Sequence, residues 1–238
     1  MSDSPKELAH KLVELCAELE VALKRRGAPA DSVGLAAALR DMPRDRVVDR
    51  YRQDLMSFAN LRNAIVHVPF RDDSPIATPL PETIQEATKV LKELTEPTRA
   101  LRNPSRPVIV KEEDPLRDCL RLMGNKDFSQ LPVLTHDGIF SWLLTTNAIA
   151  RWLASNFDDD GYALLQNVHV SDVRECCEKQ DRGIFVNRNI TAVDAIHELT
   201  KDDAPVALLV TQTGKASESI IGILVRADVP AMQSALQI

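Results

Sequence analysis

The chain has 238 residues, 44% of them hydrophobic and 27% charged, with a formal net charge of −6 and a pI near 5.4. That length and composition fit two modest globular domains, and the acidic balance excludes a general, charge-driven grip on nucleic acid while leaving room for a local basic site. No apolar run approaches the ~18 residues of a membrane span, and the opening MSDSPKELAHK lacks the apolar core of a signal peptide, so the expected location is the cytoplasm.

The first predicted helix spans 5–26. Leu8, Leu12, Leu15, Leu19 and Leu23 recur at helical spacing, with Val13, Cys16 and Ala22 beside them. Ser4 is the expected N-cap, followed by Pro5 at the first position and Glu7 three residues after the cap. Lys24, Arg25 and Arg26 suit the negative end of the helix dipole, and Gly27 stops the helix. Residues 28–32 read as a turn. Ser32 is expected to cap a short helix through Arg40, which Pro43 breaks. One long helix is then expected over 45–66, carrying Val47, Val48, Tyr51, Leu55, Phe58, Ala59, Leu61, Ile65 and Val66, with Pro69 ending it. Pro69, Pro75, Pro79 and Pro81 make 68–81 a loop. A fourth helix, 81–94, sets Ile84, Ala87, Val90, Leu91 and Leu94 on one face. The stretch 96–107, EPTRALRNPSRP, holds three prolines and three arginines and reads as the linker after a helical domain at 1–95.

Beyond it the pattern changes. Residues 108–110 read as a strand, 115–123 as a helix, 131–134 and 139–144 as strands around the His136-Asp137-Gly138 turn, and 147–155 as a helix. The order then recurs: strand 184–186, helix 191–200, strand 205–211, turn 212–218, strand 219–224 and helix 227–234. This is a β-α-β-β-α repeat of roughly 75 residues, giving a second domain at 108–238. The DDDG run at 158–161 lacks the later glutamate of an EF-hand loop and reads as a linker turn. Trp142 and Trp152 read as core. The four cysteines, Cys16, Cys119, Cys176 and Cys177, form no C-x-x-C pair and the five histidines are scattered, so the spacing carries no zinc site. Cys16 and Cys119 lie on apolar stripes, and the vicinal Cys176-Cys177 reads as incidental thiols. The expected fold class is α+β: a four-helix-type bundle followed by a tandem (βαββα)2 module.

That module resembles the tandem cystathionine-β-synthase (CBS) domain, or Bateman module, over about 107–238. The resemblance is carried by Leu131-Pro132-Val133, the strand after Gly138, Val170-Ser171-Asp172-Val173, and the strand-to-helix junctions LTTNA at 144–148 and GILVRAD at 222–228. It implies two units packed through their sheets, with two clefts that commonly bind adenosine nucleotides such as AMP, ADP or ATP. In the family a hydroxyl followed three residues later by an aspartate holds phosphate and ribose. Here the first copy has Thr145 but Ala148 where the aspartate belongs, and the second has Asp228 but Val225 at the hydroxyl position. The candidate ligand-binding residues are Thr145, Thr146 and Asn147 in the first copy and Val225 and Asp228 in the second. A carboxylate at a helix start can accept from two vicinal hydroxyls, whereas hydroxyls and helix N-terminal amides suit a phosphate. By residue type, Thr145 and Asp228 are equally helix N-caps.

The stretch 58–67, FANLRNAIVH, gathers Arg62, Asn63 and His67 into six residues. On a helix Asn63 and His67 share a face, and the long Arg62 side chain bends toward it. At the end of a late helix in a small bundle, this R-x4–6-H pattern resembles the HEPN superfamily over about 5–100. The resemblance implies metal-independent RNA cleavage: the 2′-hydroxyl attacks the adjacent phosphodiester, with His67 as acid or base, Arg62 stabilising the phosphorane, and Asn63 orienting imidazole or phosphate. In the family, two copies usually meet across a dimer and double the cluster. The competing roles are a helix C-terminal cap for His67 and an ion pair to Asp54 or Asp72 for Arg62. Arg44, Arg46, Arg50 and Arg52, interleaved with Asp45, Asp49 and Asp54, read as a solvated face. The functional reading is a cytoplasmic homodimer in which an adenine nucleotide regulates a HEPN-like endoribonuclease, with RNA as substrate, no required cofactor, no metal and no membrane partner. The alternative is a non-enzymatic nucleotide-binding regulator whose helical domain dimerises or docks a partner.

Overall fold

The structure is a computed structural model that describes residues 4–67, 76–101, 107–157 and 165–236. Residues 68–75 of the expected 68–81 loop, residues 102–106 of the expected 96–107 linker, and the expected turn at 158–161 lie outside those residues. The chain divides into two compact units, Met1–Thr98 and Arg99–Ile238.

The first unit holds α1 (Pro5–Arg25), α2 (Leu35–Arg40), α3 (Arg46–Arg50), α4 (Arg52–His67) and α5 (Pro81–Thr95). α1 starts on a full capping box: Ser4 Oγ accepts from the Glu7 N–H, and the Ser4 N–H donates back to Glu7 Oε2 at 2.6 Å. Its stripe of Leu8, Leu12, Leu15, Leu19 and Leu23 is buried, and it packs along α5 and against α2 and α4.

Two expectations are corrected here. Ser32 does not cap α2. Its buried hydroxyl donates to Asp41 Oδ2 at 2.8 Å, and the N-cap is Gly34 at φ 88°, a left-handed value that glycine adopts without a Cβ clash. The single helix expected over 45–66 is two helices. Asp45 caps α3 by accepting from the Val47 and Val48 N–H groups, and Tyr51, at φ −105° and ψ 12°, donates its N–H to Val48 O, three residues back. That tightened turn ends α3 before α4 begins. Val47, Val48, Tyr51, Leu55 and Phe58 stay buried across the break, so the apolar period conceals it.

Arg26 ties three of these helices together. Its Nε and Nη2 donate to Asp45 at 3.0 and 2.9 Å, and its Nη1 donates to Leu94 O at 3.2 Å. The exchange Asp45→Asn keeps a cap acceptor and removes the charge, so it is expected to lower unfolding free energy by about 1–2 kcal/mol. Asp45→Ala also removes the cap and is expected to lower it by roughly 1 kcal/mol more. Urea titration of the full chain measures both.

The second unit is two copies of one topology. The first runs β1 (Val110–Lys111), α6 (Leu116–Lys126), β2 (Gln130–Leu134), β3 (Phe140–Thr145) and α7 (Thr146–Ser155). The second runs β4 (Gly183–Asn187), α8 (Ala192–Thr200), β5 (Ala207–Thr211), β6 (Gly222–Val225) and α9 (Val229–Leu236), with a 3-10 turn at Arg226–Asp228 before α9. The sheet orders are β1-β2-β3 and β4-β5-β6. In each the first pair is parallel and the second antiparallel. The β2–β3 register shifts at Val133/Leu134, whereas β5–β6 pairs without a shift from Ala207↔Val225 to Val210↔Gly222.

Strand alternation sends neighbouring side chains to different cores. Leu144 joins Leu116, Cys119, Met123, Leu131, Val133 and Trp152 in the core of the first copy. Leu208, Val210 and Leu224 join Leu199 and Met232 in that of the second. Leu143 and Leu209 point the other way and share a third cluster with Ala207 and Ile220, where the two sheets meet. Phe140 and Phe185 cross edge to face there, 5.1 Å between centroids. Trp142 packs against the first core rather than standing as a platform. Part of the expected linker is ordered on the second copy: the Ala100 N–H donates to Ile190 O at 3.0 Å, Arg99 bridges Thr191, and Leu101 lies against Gly222. Residues 170–173 begin a 3-10 helix, Val170–Cys176, between the copies.

Candidate functional site

The last turns of α4 carry the first candidate site. Arg62, Asn63 and His67 line one pocket of about 440 Å³ with Glu20 from α1, Ala59, and residues 33–36 at the start of α2. Spacing on one helix puts the three side chains on one wall, and the packing of α1 and α2 against α4 closes the others. Arg62 Nη1 donates to Asn63 Oδ1 at 3.2 Å and has no bond to Asp54; Asp72 is outside the described residues. Below it Cys16 is buried, its Sγ donating to Phe58 O. Burial pushes that thiol up to about 11, with the Arg62 guanidinium pulling the other way, so at neutral pH it stays protonated and is no nucleophile. A guanidinium, an amide and an imidazole on one wall can hold a phosphate and move a proton. Two other arginines of the region, Arg52 and Arg50, are engaged locally. Arg52 donates to Asp49 Oδ1 and Leu39 O, and the Arg50 guanidinium sits 5.6 Å from the Tyr51 ring centroid.

In the first βαββα copy the structure uses Thr145 internally. Its buried hydroxyl donates to Asp181 Oδ1 at 2.7 Å and accepts from the Ala148 N–H at 3.0 Å as the N-cap of α7. The buried Asp181 also accepts from the Glu178 N–H at 2.9 Å and is ion-paired with Arg151. Arg151 Nε donates to Cys176 O at 2.7 Å. Thr146 and Asn147 are exposed at the start of α7. Sequence reasoning missed Asp181 and Arg151, because the contact joins α7 to a segment some 30 residues later and no local pattern marks it. The Cys177 thiol beside them is pushed up to about 11, first by burial and then by the Asp181 charge.

In the second copy the Val225 N–H donates to Asp228 Oδ2 at 2.8 Å, which caps the 3-10 turn into α9. Asp228 is half-buried, and its other carboxylate oxygen has no hydrogen-bond partner among the described residues. Among the described residues no group of three or more His, Cys, Asp or Glu side chains is arranged to hold a metal ion, and no helix is long and apolar enough to cross a membrane.

Residues 99–142 match the family model of the CBS domain. No curated protein matches the chain. Solved structures similar to parts of it include a CBS-domain-containing protein from Agrobacterium tumefaciens, with 17% identity, TM-score 0.42, and 56% of this chain and 87% of that one covered. Another is CBSX2 in complex with AMP, with 21% identity, TM-score 0.39, and coverage of 55% and 88%. A third is the CBS domain of a bacterial CNNM/CorC family Mg2+ transporter in complex with ATP, with 18% identity, TM-score 0.41, and coverage of 64% and 96%.

Proposed function

We propose, on the premise of the CBS-domain match over 99–142, that the protein is a nucleotide-responsive regulator. In this reading the C-terminal unit is a tandem CBS pair that binds an adenine nucleotide, and the helical unit is a HEPN-like effector that cleaves RNA without a metal and works as a homodimer. The observation that carries the effector half is that Arg62, Asn63 and His67 open into one pocket. There the imidazole of His67 takes the proton of an RNA 2′-hydroxyl, and the 2′-oxygen bonds to the adjacent phosphorus. The bond to the 5′-oxygen breaks, and the imidazolium returns the proton to that leaving oxygen. Arg62 offsets the charge that builds on the phosphorane. The products are a 2′,3′-cyclic phosphate and a 5′-hydroxyl.

For the nucleotide, the free oxygen of Asp228 supports a ribose site in the second copy, since a carboxylate accepts from vicinal hydroxyls. Thr145 is committed to Asp181 and to its own cap. That leaves Thr146, Asn147 and the α7 amides as the phosphate-binding groups of the first. Regulation then requires the nucleotide to prefer one state of the effector over the other.

The test is mixed RNA incubated with the protein in EDTA, with and without AMP, ADP or ATP. Cleavage that changes with nucleotide is expected; its absence under every condition overturns the effector half. Calorimetry with the same nucleotides tests the sensor half, with Asp228→Ala expected to weaken binding about tenfold, as loss of charge-assisted hydrogen bonds does. No heat with any of them overturns it.

One observation favours a second reading, a docking unit in place of an enzyme: Val33, on the pocket's rim, is 88% exposed. Under that reading a partner's apolar side chain covers Val33 and Leu35, and Arg62 anchors an acidic group.

A further inference from the structure

A second groove of the helical unit, about 470 Å³, runs between α1 and α5. It is lined on α1 by Ala17, Glu18, Val21 and Arg25, and on α5 by Leu91 and Thr95. Val21 is 48% exposed at its centre. Thr95 turns its hydroxyl back onto Leu91 O and Lys92 O, so its polar atom is spent within α5. Glu18 and Arg25 are exposed, and neither has an ion pair or side-chain hydrogen bond among the described residues. The face is an apolar patch between one unpaired acid and one unpaired base.

Their order along α1 selects an occupant. At 1.5 Å per residue, Glu18 lies about 4.5 Å on the N-terminal side of Val21 and Arg25 about 6 Å on the C-terminal side, close to the same helix face. A second α1 laid antiparallel across Val21 brings the Glu18 of each copy within about 1.5 Å, along the axis, of the Arg25 of the other. Both charge pairs form at once, as a twofold interface requires. A parallel second helix sets Glu18 against Glu18. The small Ala17 lets the backbones approach.

We propose that this groove is the face through which two copies of the chain pair, with their α1 helices antiparallel about Val21 and Glu18 of each opposite Arg25 of the other. This deepens the homodimer of the reading above by naming its surface. It departs from the arrangement that the HEPN resemblance implies, in which the two clusters meet: Glu20, which lines the Arg62 pocket, lies about 200° round α1 from Glu18, so the pocket falls outside the pairing face. Each pocket is then built from one chain.

Sedimentation equilibrium of the full chain tests it, alongside Glu18→Arg, Arg25→Glu, the double exchange, and a one-to-one mixture of the two single variants. All are exposed surface exchanges, and far-UV circular dichroism checks that each folds. Wild type is expected to dimerise. Each single variant puts like charges at both ends and is expected to weaken the dimer about tenfold. The double exchange restores pairing, and so does the mixture, because one variant then offers two bases and the other two acids. A monomeric wild type, single variants that dimerise undiminished, or a mixture no tighter than its components each overturns the proposal. RNA cleavage and nucleotide heat are separate readouts, so a failure here is distinguishable from a failure of the function proposed above.

Discussion

Asp181→Ala is expected to destabilise the C-terminal unit by about 3 kcal/mol. Asp181 is 4% exposed and its carboxylate takes three bonds, from the Thr145 hydroxyl, the Glu178 N–H and Arg151. Removing it leaves the Arg151 guanidinium half-buried without its carboxylate partner, and strips the partner that orients the Thr145 cap. A fully buried pair broken on one side costs roughly 3–5 kcal/mol. Arg151 keeps 29% of its side-chain surface in solvent, which argues for the lower end. For a unit of this size, about 3 kcal/mol corresponds to a fall in Tm of roughly 6–12 °C. Asp181→Asn keeps acceptor and shape while losing the charge, and should fall between wild type and alanine. Thermal melts of the three proteins measure this. A loss under about 1 kcal/mol would mean that Arg151 re-pairs with Glu178, now 3.7 Å away, at no more than the worth of a surface contact.

His67→Ala is expected to slow RNA cleavage by about 10²–10⁴-fold, the usual worth of a positioned acid–base group. Arg62→Ala should slow it by roughly 10²–10³-fold through lost charge stabilisation of the phosphorane. Arg62→Lys should recover little, because an ammonium cannot reproduce the planar fork of the guanidinium. His67 is exposed at the end of α4 and Arg62 is half-buried with its one side-chain bond to the neighbouring Asn63, so these exchanges should change stability by less than about 1 kcal/mol. Single-turnover assays in EDTA separate the effects. If His67→Ala cleaves as fast as wild type, the scission arises elsewhere, and the pocket returns to the docking reading.

The most legible parts of the chain are those whose causes are local. Ser4, Pro5 and Glu7 mark the start of α1, and the leucine stripe marks its buried face. The βαββα order of both copies follows from short apolar runs and turn residues. The Arg62-Asn63-His67 grouping follows from helical spacing alone, whereas Glu20 joins the pocket from another helix and no spacing rule reaches it. The break at Tyr51 escapes because a 3-10 closure moves the backbone without interrupting the buried stripe. Ser32 satisfies every sequence criterion for a cap and is instead drawn to Asp41. Thr145 fits a ligand-binding pattern and a cap pattern equally by sequence, and only the fold reveals that Asp181 holds its hydroxyl.

Two copies of one strand order in a single unit create a hazard of misassembly, since β3 offers β5 an antiparallel edge much like the one β6 offers. The slip at Val133/Leu134 lies in the first copy's antiparallel pair and has no counterpart between β5 and β6. A strand exchanged between copies would therefore fall out of step at the Leu134 end of the ladder. Beyond the slip stands the single pair Leu134↔Phe140, so the mismatch falls at the turn end of the hairpin. The irregularity is thus what tells the antiparallel pair of the first copy from that of the second.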